Sequence, residues 1–272
     1  MPDGGRVLIL SAEEGLIEHM ARGECVIGIM SDVAPPALMS GCYLVEDENQ
    51  VEPEFVERVY ARHLHEPWTI GIGQQVELRE LTSADFDRLL RLDREYAEEL
   101  LIPGHPGRGV ISVLGFQSAE TFSEEEGRER LSAYINQQYP FYELGLWGII
   151  DRATGDLAGI CGFSDTEDYG FTLGYHVAKA YRGRGIAVEA AKLAITFAVE
   201  WQEMPEVVCL IRPENTPSIH VAEALEMECV GEHGAFLLYR KTTIAPEEPV
   251  PLTKQMLSWF TKVAGKYFKK RR

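Results

Sequence analysis

The chain has 272 residues, of which 45% are hydrophobic and 25% are charged, a composition that supports a packed core and excludes a mostly disordered protein. Its net charge of −17 argues against a protein that binds nucleic acid through a broad basic face, so no nucleic-acid partner is expected. The five cysteines are scattered and lack the spacing of a zinc site, which predicts a reducing, cytoplasmic location and no bound metal. We find no signal-peptide pattern in residues 1–6 and no apolar run long enough to cross a bilayer.

The first segment, residues 1–72, alternates short apolar strands with helices. Strands are predicted at residues 6–10, 25–30 and 42–45, and helices at residues 13–22 and 52–65. This order predicts a small parallel α/β unit. Because about 70 residues make a unit that is only marginally stable alone, we expect it to pack against the rest of the chain.

The second segment, residues 73–243, has a longer mixed pattern. Strands are predicted at residues 76–81, 144–150, 157–163, 171–177, 207–212 and 235–241, and helices at residues 82–98, 118–138, 185–201 and 217–227. Residues 151–156 join two of these strands in a hairpin-like turn in which Gly155 supplies the turn conformation.

The third segment, residues 244–272, is a Pro- and Glu-rich linker followed by a basic amphipathic helix. The last 22 residues carry seven basic side chains and no acidic one. Three interpretations fit this pattern: the helix lies on an anionic membrane as a peripheral anchor, it binds nucleic acid or an acidic partner, or it docks on the acidic body of its own chain. We favour the last because the rest of the chain is strongly acidic.

A glycine-rich turn between a predicted strand and a predicted helix carries the most chemical information. Gly183 and Gly185 have no side chains, so a phosphate group can approach the backbone there. The first free amides of the following helix then point at that phosphate, and the helix dipole favours its negative charge. Arg182 and Arg184 add positive charge. The run lacks the patterns typical of dinucleotide-binding folds and of nucleoside triphosphatases.

The run 182–187, with the letters RGRGIA, resembles the signature of the GNAT family of N-acetyltransferases, Arg/Gln-x-x-Gly-x-Gly/Ala. Residues 174–177 resemble the strand that precedes this signature in the family. Residues 212–218 resemble the Asn-x-x-Ser motif of the family's ribosomal-protein-type branch. The run 139–147 is also similar to that branch. The resemblance spans residues 76–241 and implies an α/β (α+β-type) GNAT fold, with a mixed, largely antiparallel sheet and helices on both sides.

The resemblance also implies that acetyl-CoA is the cosubstrate and that the acetyl group moves directly to a primary amine. The acceptor would be a small molecule or a peptide: a protein N-terminus, a polyamine, an amino acid or an aminoglycoside. The residues that the resemblance assigns to cofactor binding are Tyr175, Val177, Arg182, Gly183, Arg184, Gly185, Ile186, Ala187, Asn215 and Ser218.

The catalytic residues are less clear from the resemblance, because Ala222 stands where many family members have a tyrosine acid. Ser218 is therefore the candidate general acid. The candidate general bases are Glu167, Asp168 and His176, acting directly or through water. The missing tyrosine also motivates an alternative function, that of a non-catalytic acyl-CoA-binding sensor or scaffold.

Two further features stay open at this stage. The aromatic residues Tyr139, Phe141, Tyr142 and Trp147 fit either an acceptor pocket or the core. The first segment resembles the later half of a haloacid-dehalogenase-type domain in residues 7–15, in the strand that begins at Cys25 and in residues 42–47. It has no preceding strand to supply that family's aspartate nucleophile, so we interpret it as a structural appendage or a homodimerisation element.

Overall fold

The computed structural model describes residues 5–10, 13–29, 43–45, 48–100, 123–166 and 168–243. The predicted loop at residues 102–115 and the C-terminal segment 244–272 lie outside these residues. Within them, no helix combines the length and apolar character needed to span a membrane.

The N-terminal unit is a three-stranded parallel sheet with two helices, as the sequence predicts. Its strands are β1 (Leu8–Leu10), β2 (Val26–Ile29) and β3 (Tyr43–Val45), paired in that order, and its helices are α1 (Glu13–Ala21) and α2 (Pro53–His63). Ile27 and Val45 of the sheet pack with Val59 of α2 in a small core.

A second, eight-stranded sheet forms the body of the molecule. Its strands are β4 (Thr69–Ile72), β5 (Val76–Arg79), β6 (Leu146–Asp151), β7 (Leu157–Thr166), β8 (Gly170–Val177), β9 (Glu206–Ile211), β10 (Glu228–His233) and β11 (Phe236–Thr242). Their order is β10-β11-β9-β8-β7-β6-β5-β4, and every pair except β8–β9 is antiparallel. The predicted mixed, largely antiparallel sheet is confirmed.

Helices cover both faces of this sheet, which confirms the second half of the fold prediction. They are α3 (Phe86–Leu100), α4 (Glu124–Tyr142), α5 (Ile186–Gln202) and α6 (Thr216–Ala224). Because side chains alternate along a strand, Leu146 and Ile150 of β6 pack with α3 and α4, whereas Trp147 and Ile149 pack with α5.

Three elements differ from the sequence-based prediction. Strands β4 and β10 were not predicted, because both lie at sheet edges, where few side chains are buried and the apolar pattern is weak. The predicted boundary at residue 72 therefore falls in the turn of the β4–β5 hairpin. Helix α4 begins after Ser123, whose hydroxyl and the Glu126 carboxylate form a capping box, and it continues through Pro140.

Candidate active site

The parallel strands β8 and β9 separate over most of their length. A single residue pair, Thr172 with Val208, joins them. On its other side β8 is paired with β7 along its whole length, from Gly170 to Val177. The C-terminal half of β8 therefore presents one backbone edge to an opening in the sheet rather than to a neighbouring strand.

This opening leads to the N-terminus of α5, which follows β8 after a short connection. Gly183 and Gly185 both adopt left-handed backbone conformations, with φ of 75° and 77°. A Cβ at either position would meet no atom within 4 Å, so the space in front of both glycines is open. The arrangement fits a diphosphate, because the first backbone amides of α5 carry the positive end of the helix dipole.

The two arginines of the glycine-rich turn have different partners. The Nε atom of Arg182 donates a hydrogen bond of 2.8 Å to the carbonyl oxygen of Val177, at the end of β8. Arg184 pairs with the carboxylate of Asp151 at 3.1 Å. A hydrogen bond from the backbone N–H of Ala153, together with Arg184, holds the pKa of Asp151 below its usual range. Asp151 therefore already balances the charge of Arg184.

The β4–β5 turn holds the head of α5 in place. The backbone N–H of Gln75 donates to Oε1 of Glu189 at 2.8 Å, and its side-chain amide donates to the carbonyl oxygen of Arg184 at 3.2 Å. A Cβ on Gly73 would lie 2.1 Å from Oε1 of Glu189, so a larger residue there would displace this carboxylate. These contacts join residues more than 100 positions apart, and no local sequence signal predicts them.

Three of the predicted binding residues meet across the opening between β8 and β9. The hydroxyl of Tyr175 on β8 donates a hydrogen bond of 3.0 Å to the carbonyl oxygen of Ser218 on α6. Asn215 caps α6, since its Oδ1 accepts from the backbone N–H of Ser218 at 3.2 Å. Burial raises the pKa of Tyr175 well above its usual range, so its hydroxyl is a neutral donor at physiological pH.

The candidate general bases lie in different surroundings. His176 projects from the face of β8 opposite to Tyr175, and its ring packs edge-on against Tyr96 of α3 at 4.8 Å. Asp168 is exposed and forms an ion pair of 2.9 Å with His233. Glu167 lies outside the described residues. His176 is therefore the candidate that lies beside the opening and below the protein surface.

The four aromatic residues that fit either an acceptor pocket or the core fall into two pairs in the structure. Tyr139 and Trp147 are fully buried and belong to the core. Phe141 and Tyr142 are partly exposed, and the Tyr142 ring contacts Phe171 at the start of β8 at 5.4 Å. An acceptor surface can include only the second pair.

The fold, the opened parallel pair and the open head of α5 together define an acyltransferase domain. Residues 75–228 match the family model "Acetyltransferase (GNAT) domain", which covers more than half of the chain. The chain therefore belongs to the GNAT acetyltransferase family and is an acetyltransferase. Members of this family use acetyl-CoA.

Two curated relatives are similar to parts of this chain. An uncharacterized Bacillus subtilis protein, YkkB, is 33% identical over 89 residues, which are 32% of this chain and 52% of the relative. An uncharacterized N-acetyltransferase of Bacillus licheniformis is 30% identical over 121 residues, which are 44% of this chain and 68% of the relative. The matches thus span about half and about two thirds of these relatives.

Solved structures share the fold at lower identity. A ribosomal-protein-S5-alanine acetyltransferase from Vibrio fischeri matches with a TM-score of 0.50 and 19% identity, over 66% of this chain and 98% of that one. A ribosomal L7/L12 alpha-N-protein acetyltransferase in complex with coenzyme A matches with a TM-score of 0.49 and 16% identity, over 64% and 98% of the two chains.

The N-terminal unit lies outside the family match, which begins at residue 75. None of these comparisons supports the resemblance of residues 1–72 to a haloacid-dehalogenase-type domain. The parallel sheet itself is present, but a parallel three-stranded sheet is common to many folds.

Proposed function

We propose that this chain transfers the acetyl group of acetyl-CoA to a primary amine by direct attack. The observation that carries the proposal is the opening between β8 and β9, which ends at the exposed amides of α5. A pantetheine arm in this opening can pair with the free backbone edge of β8 near Tyr175 and Val177. The amides from Gly183 to Ala187 are then in line to bind the diphosphate.

Asn215 and Ser218 supply polar groups on the α6 side of the same opening. The Nδ2 atom of Asn215 is a donor for an amide oxygen of the pantetheine arm, because its Oδ1 is already used to cap α6. The Ser218 hydroxyl is the candidate donor for the sulfur, since Ala222 is buried and carries no acid. Tyr175 fixes the position of Ser218 through the backbone carbonyl.

The proposed reaction needs three proton transfers, because the acceptor nitrogen loses two protons and the leaving sulfur gains one. His176, directly or through water, removes a proton from the acceptor ammonium so that a neutral amine nitrogen attacks the thioester carbonyl carbon. A backbone amide near Val177 stabilises the charge on the carbonyl oxygen. The carbon–sulfur bond then breaks, and the nitrogen releases its second proton to solvent as the neutral amide forms. The departing thiolate takes its proton from Ser218, which recovers one from solvent.

The acceptor is an amine that is cationic before it loses its proton. The strongly acidic chain attracts such a substrate, with a net charge of −17. The candidate acceptors are protein N-termini, polyamines, amino acids and aminoglycosides. The Vibrio fischeri neighbour is named for a ribosomal protein, which makes ribosomal-protein N-terminal peptides the first acceptors to test.

Two measurements test the proposal. Calorimetry with acetyl-CoA should give one site per chain, and thiol release over a panel of amines should identify an acceptor. Ser218→Ala and His176→Gln should each lower kcat by at least 10-fold without abolishing acetyl-CoA binding, whereas His220→Gln, on an exposed face of α6, is the matched control. Absence of acetyl-CoA binding would refute the proposal.

One observation favours the sensor or scaffold as a second candidate. The position of the family's usual tyrosine acid is occupied by Ala222, which is buried and has no group that could donate a proton. Tight acetyl-CoA binding with no thiol release from any amine would establish that second function.

A further inference from the structure

A cavity, separate from the opening between β8 and β9, lies between the N-terminal unit and the acetyltransferase domain. Its volume is about 470 Å³, which is within the range of small-molecule sites. Strands β2 and β3 and helix α2 contribute one wall, and α4 and residues 80–83, which directly follow β5, contribute the other. Since β6 and β7 separate β5 from β8 in the sheet, this cavity is distinct from the opening between β8 and β9.

The floor of the cavity is formed by Arg62 and Glu80, which belong to a buried network of two arginines and two glutamates whose other members, Arg58 and Glu143, do not line the cavity. Arg62 of α2 donates to Glu80 at 2.9 Å through Nε and to Glu143 at 2.6 Å. Arg58 pairs with Glu143 from the other side. Burial raises the pKa of Glu80, and Arg62 opposes this effect. Two positive and two negative charges balance one another, so the floor is a fixed and nearly neutral surface.

The walls offer apolar surface together with hydrogen-bonding groups. The apolar lining includes Cys25, Val59, Leu81 and Ile135. The hydroxyl and amide side chains that line it include those of Thr82, Ser83, Ser132 and Asn136. A ligand with an apolar body and one polar end matches this mixture better than a polyanion does.

The charged side chains at the rim of the cavity determine which sign of ligand charge it favours. Two exposed carboxylates, Glu24 and Glu66, line the cavity together with two exposed histidines, His63 and His65. Glu24 also contacts His19. Because the floor is balanced internally, these carboxylates leave the cavity with net negative character.

We propose that the cavity binds a small organic cation with an apolar body, such as an aryl- or alkyl-substituted primary amine. The apolar part lies against the Val59 and Leu81 side, and the ammonium group lies at the carboxylates of the rim. The N-terminal unit thus forms half of a ligand site rather than a passive appendage. This inference does not depend on the proposed acetyl transfer.

Calorimetry on the full chain tests the proposal, with 3-phenylpropylamine and hexylamine as probes and 3-phenylpropionate and hexanoate as matched anions. We expect one site for the amines and at least 10-fold weaker binding of the anions. Asn136→Trp places a large ring at the cavity, and it should weaken amine binding at least 10-fold. Gln137→Trp, on the neighbouring exposed position that does not line the cavity, should leave it unchanged.

A second variant pair tests the role of the rim. Glu66→Gln should weaken amine binding several-fold, whereas Glu57→Gln, an exposed glutamate of α2 away from the cavity, should not. The proposal is overturned if no amine binds, if the anions bind equally well, or if binding survives Asn136→Trp unchanged, which would place the amine in the acceptor cleft. Acetyl-CoA affinity, measured in the same variants, should stay at the wild-type value and reports separately on the proposed function.

Discussion

Comparison of Gly185→Asn with Gly185→Asp measures how one negative charge at the proposed diphosphate site changes the affinity for acetyl-CoA. Gly185 is the N-cap of α5 and has a φ of 77°. Asparagine and aspartate are the non-glycine residues that best tolerate this left-handed conformation, and they are nearly isosteric. A side chain at this position meets open space. The two variants therefore differ mainly by one negative charge in front of the helix.

The expected magnitude follows from Coulomb's law. One carboxylate about 5 Å from one phosphate charge costs about 1 kcal/mol in water and about 3 kcal/mol at the effective dielectric constant near a protein surface. Relative to Gly185→Asn, Gly185→Asp should therefore weaken acetyl-CoA binding by roughly 5- to 150-fold. The same aspartate should stabilise the folded protein by about 0.3 to 1 kcal/mol, because a negative charge at a helix N-terminus is favourable.

Compared with Gly185→Asn, Gly185→Asp is thus expected to bind acetyl-CoA more weakly and to have a larger free energy of unfolding. Isothermal calorimetry with acetyl-CoA gives the affinity, and urea unfolding without ligand gives the free energy of unfolding. Gly170 provides a matched control, because it has a φ of 63° and open space but is the first residue of β8, directly after the β7–β8 turn. Gly170→Asp and Gly170→Asn should bind acetyl-CoA equally.

One result would refute this reasoning. If Gly185→Asp and Gly185→Asn bound acetyl-CoA with the same affinity while both remained folded, the diphosphate would not lie at the head of α5. If the Gly170 pair showed the same difference as the Gly185 pair, the effect would belong to the net charge of the protein rather than to a site.

Three further predictions concern contacts described above. Tyr175→Phe removes the hydrogen bond to Ser218, worth about 1 kcal/mol, and should raise the KM for acetyl-CoA about 5-fold with a smaller change in kcat. Arg62→Gln leaves Glu80 buried without its cation, and urea unfolding should show a loss of about 3 to 5 kcal/mol. Burial opposes ionisation of Asp85, but hydrogen bonds that include two from Arg79 outweigh it and lower the pKa of Asp85. Its stabilisation is therefore complete above about pH 4, the unfolded pKa, and is lost as the pH falls through the folded pKa.

Control variants distinguish each of these three effects from a general effect of substitution. Tyr169→Phe, in the β7–β8 turn, should leave the KM for acetyl-CoA unchanged. Arg22→Gln breaks an exposed helical ion pair with Glu18 and should lower the free energy of unfolding by less than about 0.5 kcal/mol. If Arg62→Gln lowered it by only the same amount, the buried network would not stabilise the fold as we infer. Asp85→Asn should flatten the acid limb of a stability–pH profile, and an unchanged limb would exclude Asp85 as its source.

Much of the fold was predictable because its elements have strong local signals. The strands with mostly buried residues, such as β6, and the hairpin turn at Gly155 follow from apolar runs and turn residues. Edge strands β4 and β10 were missed because half-exposed strands have no strong apolar pattern. The start of α4 was also misplaced, since several earlier serines and acids resemble the Ser123 cap.

The site was predictable only in part. The run from Arg182 to Ala187 has a pattern that points to a phosphate site, and the structure places open space in front of its glycines. The partner of Arg184, by contrast, is Asp151 on a different strand, and no spacing rule connects the two. The contact between Tyr175 and Ser218 likewise exists only because β8 and α6 flank one opening.

The sequence by itself determined the chemistry of the glycine-rich turn, the alternation of strands and helices, and the acidic charge of the chain, because each depends on residues that are near one another or on composition. Tertiary structure alone decided which charges are balanced, which aromatic side chains belong to the core, and where the opening between β8 and β9 and the cavity beside the N-terminal unit lie. Those properties depend on distances between elements that are remote in sequence, and such distances are fixed only when the sheet and its helices pack together.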